Sequence, residues 1–380
     1  MGTGPKHILH LMPYKSIGGT ETAALRIAEI TRESGYKNTF LCQAGSSLVS
    51  SFFSDRGFDV IEFDEIQPSI LHPSAYWRGS LKMARKIAEM KIDLIHAQDY
   101  FSAAFYSLAA ILARKPLISH VRNKHNNVSK RDQFFLRPVK HWIFVSKEAR
   151  DSFSFKTNAK NGTVIYDGIK IKEINEQEKI DNRKSVFKEF NIQTDTKLIG
   201  MIARVAPQKD FFTLADAVKK LSRKYDSIKI IVIGDNAKEE NTRQHFKEVS
   251  KYINKLGISG KFIFTGYRTD VKRLIDALDV HVLSTNFEGF ALVNLEVMAR
   301  QIPAILTLSG TSLEIIEHGK NGLLFEHKNS GELAQRIEEL IINEDLAEKI
   351  GTAGFQTVKN KFNHEKFSTE ILTFYERMLK

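Results

Sequence analysis

The chain has 380 residues, 42% of them hydrophobic and 27% charged, with a formal net charge of +11; that balance supports packed cores in two domains and excludes a disordered chain. No apolar run reaches the ~18 to 20 residues of a membrane-crossing helix, and MGTGPKHILHLMPY passes from a basic residue directly into a strand-like run, without a signal peptide's apolar segment and cleavage site, so a cytoplasmic protein is expected. Cys42 is the single cysteine, which rules out an internal disulfide and a cysteine metal cluster and reads as a small buried strand residue.

In chain order, short β-branched runs alternate with amphipathic helical stretches. The first half holds HILHLMP, NTFLCQA, FDVIEFD, DLIHAQD, PLISHV, HWIFVS and GTVIYDG; the second holds TKLIGMIAR, IKIIVIGD, KFIFTG, DVHVLST, PAILTLS and NGLLFEH. Between them lie stretches such as ETAALRIAEITRESG and FFTLADAVKKLSRKY, with apolar residues at three- and four-residue spacing. This alternation predicts an α/β fold of two doubly wound parallel-sheet domains. The polar stretch Lys170–Ser185 reads as the linker between residues 1–175 and 186–362. The last segment, 364–380, is amphipathic and would bury Phe367, Ile371, Phe374 and Met378. Open parallel sheets bind ligands beyond the carboxyl ends of their strands, and two such domains facing across a cleft would bring those ends together.

The residues that follow each strand are therefore the candidates. In SIGGTE, Gly18 and Gly19 make a flexible turn into a helix, an anion-friendly start that lacks the dinucleotide-binding G-x-G-x-x-G. His96 and His120 lie at or near strand ends, where a lone histidine is more often structural than catalytic. The basic excess sits in the first half, +8 over residues 1–180 against +3 for the rest. Within it, Arg122 to Lys140 carries six Lys or Arg, one Asp and the run Phe134, Phe135, Leu136. That segment reads equally as a docking surface for an anionic membrane and as a solvated basic helix with its phenylalanines in the core.

In the second half, Arg204 ends a strand in MIARVAPQKDFF and Lys209 follows just before a helix; two cations there can neutralise a departing diphosphate. NFEGFALVNLE then turns from the strand DVHVLST into a helix from about Leu292 to Ala299. Its free N–H groups make an anion site, with Gly289 allowing close approach. Glu288 and Glu296 would lie roughly 12 Å apart if the segment were all helix. That is too far for a carboxylate pair acting on one bond, usually ~5 to 9.5 Å, and suits the two ends of a nucleoside diphosphate sugar. The same residues read also as a helix cap and a solvated helix residue. No Asp-x-Asp and no His/carboxylate grouping with metal spacing occurs, so no metal or other cofactor is expected.

Taken in this order, GGTE, DLIHAQD, PLISH, VSKEAR, VIYDGI, IARVAPQKD and EGFALVNLE resemble glycosyltransferase family 4, retaining enzymes of the GT-B fold, over essentially the whole chain. The resemblance implies that Arg204 and Lys209 bind the donor diphosphate, Glu296 the ribose hydroxyls and Glu288 hydroxyls of the donor sugar. Backbone N–H groups around Phe290, Ala291 and Leu292 would complete the phosphate site, and the backbone near Tyr267 and Arg268 would form the base-binding edge. His120 would sit by the transferred sugar, and Gly18 and Gly19 would border donor phosphate and acceptor. The terminal helix would cross back onto the first domain. Ala203, Gln98, Asp167 and Ala291 depart from the family's usual residues, as does SGTSLEII before Glu314.

The implied activity is transfer of a sugar from a nucleotide-sugar, by family habit a UDP-sugar, with retention and without a protein nucleophile. The implied acceptor is a lipid-linked or cell-surface glycan such as lipopolysaccharide, O-antigen or a capsule precursor, with an anionic membrane surface as a further partner. A nucleotide-sugar epimerase and a non-catalytic sugar-binding protein are the alternatives. No nucleic-acid partner is expected, because the positive charge comes with no recognised module.

Overall fold

The computed structural model describes residues 4–379 apart from 66, 70–72, 156–160 and 238–239. It divides into two units, Met1–Gly168 with His364–Lys380, and Ile169–Asn363.

The first unit is built on seven strands, β1 (His7–Leu11), β2 (Lys37–Gln43), β3 (Asp59–Phe63), β4 (Leu94–Ala97), β5 (Leu117–Val121), β6 (His141–Phe144) and β7 (Gly162–Val164). They run in the order β3-β2-β1-β4-β5-β6-β7, and every neighbouring pair is parallel. The order reverses between β1 and β4, so the loops after those two strands diverge and leave room for a ligand. β1, β4, β5 and β6 are buried along their whole length, which is why they read as continuous apolar runs rather than alternating ones.

The terminal helix His364–Leu379 belongs to this unit. Phe367, Ile371, Phe374 and Met378 pack with Ile8, Ile27, Leu94, Ile118 and Ile143 in one buried cluster. Each large apolar side chain covered this way contributes about 1.5–3 kcal/mol. Tyr375 on the same helix is fully buried, and its hydroxyl lies 2.6 Å from Nδ1 of His96 on β4.

In the basic segment, Ser129 caps the helix Lys130–Leu136 by accepting from the Asp132 N–H at 3.1 Å. Its two phenylalanines part company. Phe135 meets the buried Tyr76 edge-on at 5.3 Å, while Phe134 is 60% exposed with the Arg137 guanidinium 5.4 Å from its ring centre. One ring therefore serves packing and the other faces water.

The second unit carries β8 (Lys197–Ile202), β9 (Ile228–Ile233), β10 (Phe262–Phe264), β11 (Val280–Leu283), β12 (Ala304–Thr307) and β13 (Leu323–Phe325). The order is β10-β9-β8-β11-β12-β13, again all parallel, with its reversal between β8 and β11. Among the described residues, all thirteen strands fall on the runs read from the sequence.

The stretch Lys170–Ser185 is not a linker throughout. From Glu176 it is a helix reaching Glu189, capped by Asn175, whose side chain accepts from the Glu178 N–H at 3.1 Å. That helix buries only Val186 and Phe187 and is held by polar contacts, Asn182 to Asp276 at 2.8 Å and Arg183 to Asp279 at 3.1 Å. A helix fixed by ion pairs has no apolar stripe to show, so its sequence looks like a connector.

Candidate active site

In the second unit, the segments after β8 and β11 flank the strand-order reversal. Backbone bonds stitch them together: Asp210 N–H donates to the Ser284 carbonyl at 3.1 Å, and Asn286 N–H to the Gln208 carbonyl at 2.9 Å. The Gln208 amide reaches the Phe287 carbonyl at 3.0 Å. Asp210 then caps the helix Phe211–Leu221, accepting from the Thr213 N–H at 3.1 Å. The ends of β8 and β9 are tied as well, through Ala203 N–H to the Ile233 carbonyl at 3.0 Å and Val205 N–H to the Asp235 carbonyl at 2.9 Å. A Cβ on Gly234 would lie 2.2 Å from the Ala203 carbonyl oxygen, so only glycine permits this closeness.

The stitching brings Lys209 against Glu288. Their ammonium and carboxylate form an ion pair, with the side chains 14% and 17% exposed. The Glu288 carboxylate also accepts from the Gly289 N–H at 3.3 Å, and the Thr311 hydroxyl donates to the Glu288 carbonyl at 3.3 Å. The next helix is Leu292–Met298, and its N-cap is Ala291, which supplies no side-chain acceptor to the first turn. Uncapped N–H groups at a helix start favour an anion in general. Glu288, Ala291, Ser309 and Thr311 line one recess at this point. Glu296, half-buried, lies one turn inside the helix; Gly289 and Phe290 are buried and Leu292 is half-buried. Arg204 is exposed two residues beyond β8.

After β10, Tyr267 is 62% exposed. The Arg268 side chain is engaged elsewhere, with both Asp270 carboxylate oxygens at 2.8 Å and Glu189 at 2.8 Å. Those bonds hold the Asp270 carboxyl well below the usual carboxylate range. The Arg268 guanidinium is thus committed to Asp270 and Glu189.

In the first unit, Gly18 is the N-cap of the helix Gly19–Glu33 and donates its N–H to the Glu21 carboxylate at 2.9 Å. Gly19 is exposed and Gly18 half-buried. His120 is not where the resemblance would put it. It lies inside β5, paired with Ile143, and is 0% exposed, so its ring has no surface to offer a sugar. Burial pushes its imidazole well below the ordinary value and keeps it neutral. The ring stacks on His96 at 5.6 Å, and its Nδ1 is 3.1 Å from Arg122 Nη2.

Arg122, immediately past β5, is the residue at the strand's carboxyl end. It pairs with Asp167 at 3.0 Å, both side chains 5% exposed, and donates to Gln98 Oε1 at 3.2 Å. Gln98 in turn lies 3.1 Å from His10, and His10 is 2.9 Å from Asn38. Sequence reading passed over Arg122, although it ends an apolar strand just as Arg204 does. Residues two apart in a strand share a face, so His120 supports Arg122 from beneath. Among the described residues, no group of three or more His, Cys, Asp or Glu is placed to hold a metal ion, and no helix is long and apolar enough to cross a membrane.

Comparison with known proteins agrees over both units. Residues 17–173 match the family model described as Glycosyltransferase Family 4, and residues 182–357 match Glycosyl transferases group 1. The capsular polysaccharide biosynthesis glycosyltransferase CapM of Staphylococcus aureus is 27% identical over 205 residues, 54% of this chain and 52% of that protein. The match thus spans about half the length of that relative. An uncharacterized glycosyltransferase of Methanocaldococcus jannaschii is 24% identical across 84% of this chain and 87% of its own. The crystal structure of Anabaena HepE in complex with UDP-glucose superposes with a TM-score of 0.83 at 22% identity, covering 98% of this chain and 99% of that one. With both family models matched in sequence and two Rossmann-like sheets of the GT-B type, the chain belongs to glycosyltransferase family 4.

Proposed function

We propose that the chain transfers a hexosyl group from a UDP-sugar to a hydroxyl of a lipid-linked or cell-surface glycan, such as a lipopolysaccharide, O-antigen or capsule precursor. The transfer proceeds with retention and without a metal or other cofactor. The observation that carries this reading is the Lys209–Glu288 ion pair beside a helix start that no side chain caps. It offers a cation and directed N–H groups for a diphosphate, and an acid for sugar hydroxyls, at one point on the sheet. The UDP-glucose held by HepE and the capsular role in CapM's name support the choice of donor and acceptor class.

Arg204, Lys209 and the N–H groups of Ala291 and Leu292 stabilise charge as it grows on the departing β-phosphate. The acceptor hydroxyl attacks the anomeric carbon on the face from which UDP leaves; the new glycosidic bond forms as the sugar–phosphate bond breaks, and the hydroxyl proton passes to the departing phosphate oxygen. Glu288 orients the sugar and Glu296 holds the ribose. The backbone after Tyr267 meets the base.

A thermal-shift screen of UDP- and GDP-sugars in EDTA tests this. A ligand at a hundred times its Kd adds about 2.7 kcal/mol to stability, so UDP-sugars are expected to raise the unfolding midpoint. If no nucleotide-sugar moves it, the reading fails. Isomerised donor in samples without acceptor would instead indicate the epimerase.

A further inference from the structure

The recess beside Glu288 holds a buried polar side chain to which the donor reading gives no task. The recess lies in the second unit, between the carboxyl ends of β11 and β12 and the helix Leu292–Met298 that follows β11. Asn294, on the first turn of that helix, lines it and is 3% exposed. An amide in so closed a place needs partners at both of its ends.

One end is settled by the sheet. Asn294 Oδ1 lies 3.1 Å from Nε2 of His281, which is fully buried on β11. Burial lowers the His281 imidazole to about 4 and keeps it neutral, and its Nε2–H donates to the amide oxygen, which can only accept. His281 is two residues from Leu283 and shares its strand face, and Leu283 also lines the recess. The imidazole therefore pins the amide from the strand side. The Nδ2 end has no partner among the described residues and is left for the recess.

The hydroxyls around it have their hydrogens committed. Those of Thr285, Thr307 and Thr311 donate to the carbonyls of Phe287, Leu283 and Glu288. Ser312 donates to the Thr307 carbonyl at 2.7 Å, which leaves Ser309 to donate to the Ser312 hydroxyl at 3.1 Å. The rest of the wall is apolar apart from the Glu288 carboxylate, which keeps lone pairs beyond those given to Lys209 and the Gly289 N–H. One uncommitted side-chain donor and one carboxylate acceptor are the complement of a single hydroxyl, which gives one hydrogen and takes another. The recess has a volume of about 10 Å³, room for one water-sized group. A phosphate oxygen would bring charge to Glu288 and no hydrogen, and an acetamido group is too large.

We infer that Asn294 is a specificity-determining residue: held by His281, its amide donates to one hydroxyl of the donor sugar while Glu288 accepts from that same hydroxyl. The inference rests on the transferase reading and deepens it, because the ring position that enters the recess must carry a free hydroxyl and not a larger or charged substituent.

Calorimetric titration on the full chain tests this, with UDP as the baseline. UDP-glucose and UDP-galactose are titrated first, and the tighter of the two is compared with its monodeoxy analogues. At least one of the two sugars is expected to bind more tightly than UDP. Asn294→Asp keeps an acceptor for His281 and removes the amide hydrogens; Asn294→Leu removes both and is apolar like its neighbours Leu283, Leu306 and Ile315. Each is expected to weaken the sugar nucleotide by about tenfold, the scale of one hydrogen bond, and to leave UDP unchanged. One deoxy analogue should be weaker by a similar factor on the parent chain and lose nothing further in either variant, while the other analogues lose the full factor. Equal losses for UDP and the sugar nucleotide would mean that Asn294 only supports the helix. Unchanged sugar affinity in both variants, or the same further loss for every deoxy analogue, would mean that the recess holds only a water. Each of these results overturns the inference. Should UDP bind and neither sugar add to it, the inference falls alone; should UDP itself fail to bind, the donor assignment falls and takes the inference with it.

Discussion

Lys209→Ala is expected to lower the turnover of sugar transfer by about 10²–10³-fold, the range seen when one preorganised donor is removed from a site of developing negative charge. Lys209 meets that description because its ammonium is fixed before any donor arrives. It is held by Glu288 and seated on a loop whose backbone is bonded on both sides, including Lys209 N–H to the Ala206 carbonyl at 2.8 Å. Removing the side chain leaves those bonds untouched, so the unfolding midpoint should stay close to that of the parent. Glu288→Ala should cost turnover as well, through the sugar hydroxyls and through a cation no longer positioned. The double variant should lose less than the product of the two single losses, because the pair acts as a unit. Turnover in Lys209→Ala within a few-fold of the parent would remove Lys209 from the mechanism.

Arg122→Ala is expected to destabilise the first unit by about 3–5 kcal/mol, the cost of stranding one member of a buried ion pair. Asp167 would be left 5% exposed without its cation, and Gln98 and His120 would each lose a partner. Urea denaturation followed by the fluorescence of Trp142, fully buried on β6, would report the change. An unaltered midpoint would mean that water replaces the guanidinium.

The same network makes stability depend on pH. Burial lowers His10 from 6.5 to about 4, and lowers His96 and His120 well below their ordinary value, with Arg122 adding charge repulsion to each. Histidines depressed in the folded state are protonated first in the unfolded chain. Their contribution is therefore complete above about 6.5 and is lost as pH falls from there towards about 4. The midpoint should drop steadily over that window.

The strands were legible because each is a short apolar run bounded by turn residues, and parallel sheets bury both faces of such runs. The candidate donor residues Arg204, Lys209 and Glu288 were picked out as positions that follow strands. Their pairing was not: Lys209 and Glu288 are 79 residues apart, and only the loop stitching after β8 and β11 makes them neighbours. The helix read from about Leu292 does begin there, so the all-helix spacing does not apply to Glu288, which lies in the loop before it. His120, read from the residues alone as more often structural, is buried inside β5; its place beside the transferred sugar came only from the resemblance, and Arg122 is the residue immediately past the strand. Arg268 shows the reverse, an exposed-looking cation whose side chain is held by Asp270 and Glu189.

The central claim is that the second unit grips a nucleoside diphosphate through Arg204, Lys209, Glu288 and Glu296, and calorimetric titration of UDP tests it most directly. One-site binding to the parent chain is expected. Arg204→Ala and Glu296→Ala should each weaken it by roughly 10- to 150-fold, the loss of one charge-assisted hydrogen bond, with the unfolding midpoint unchanged. Undiminished affinity for UDP in both variants would contradict it.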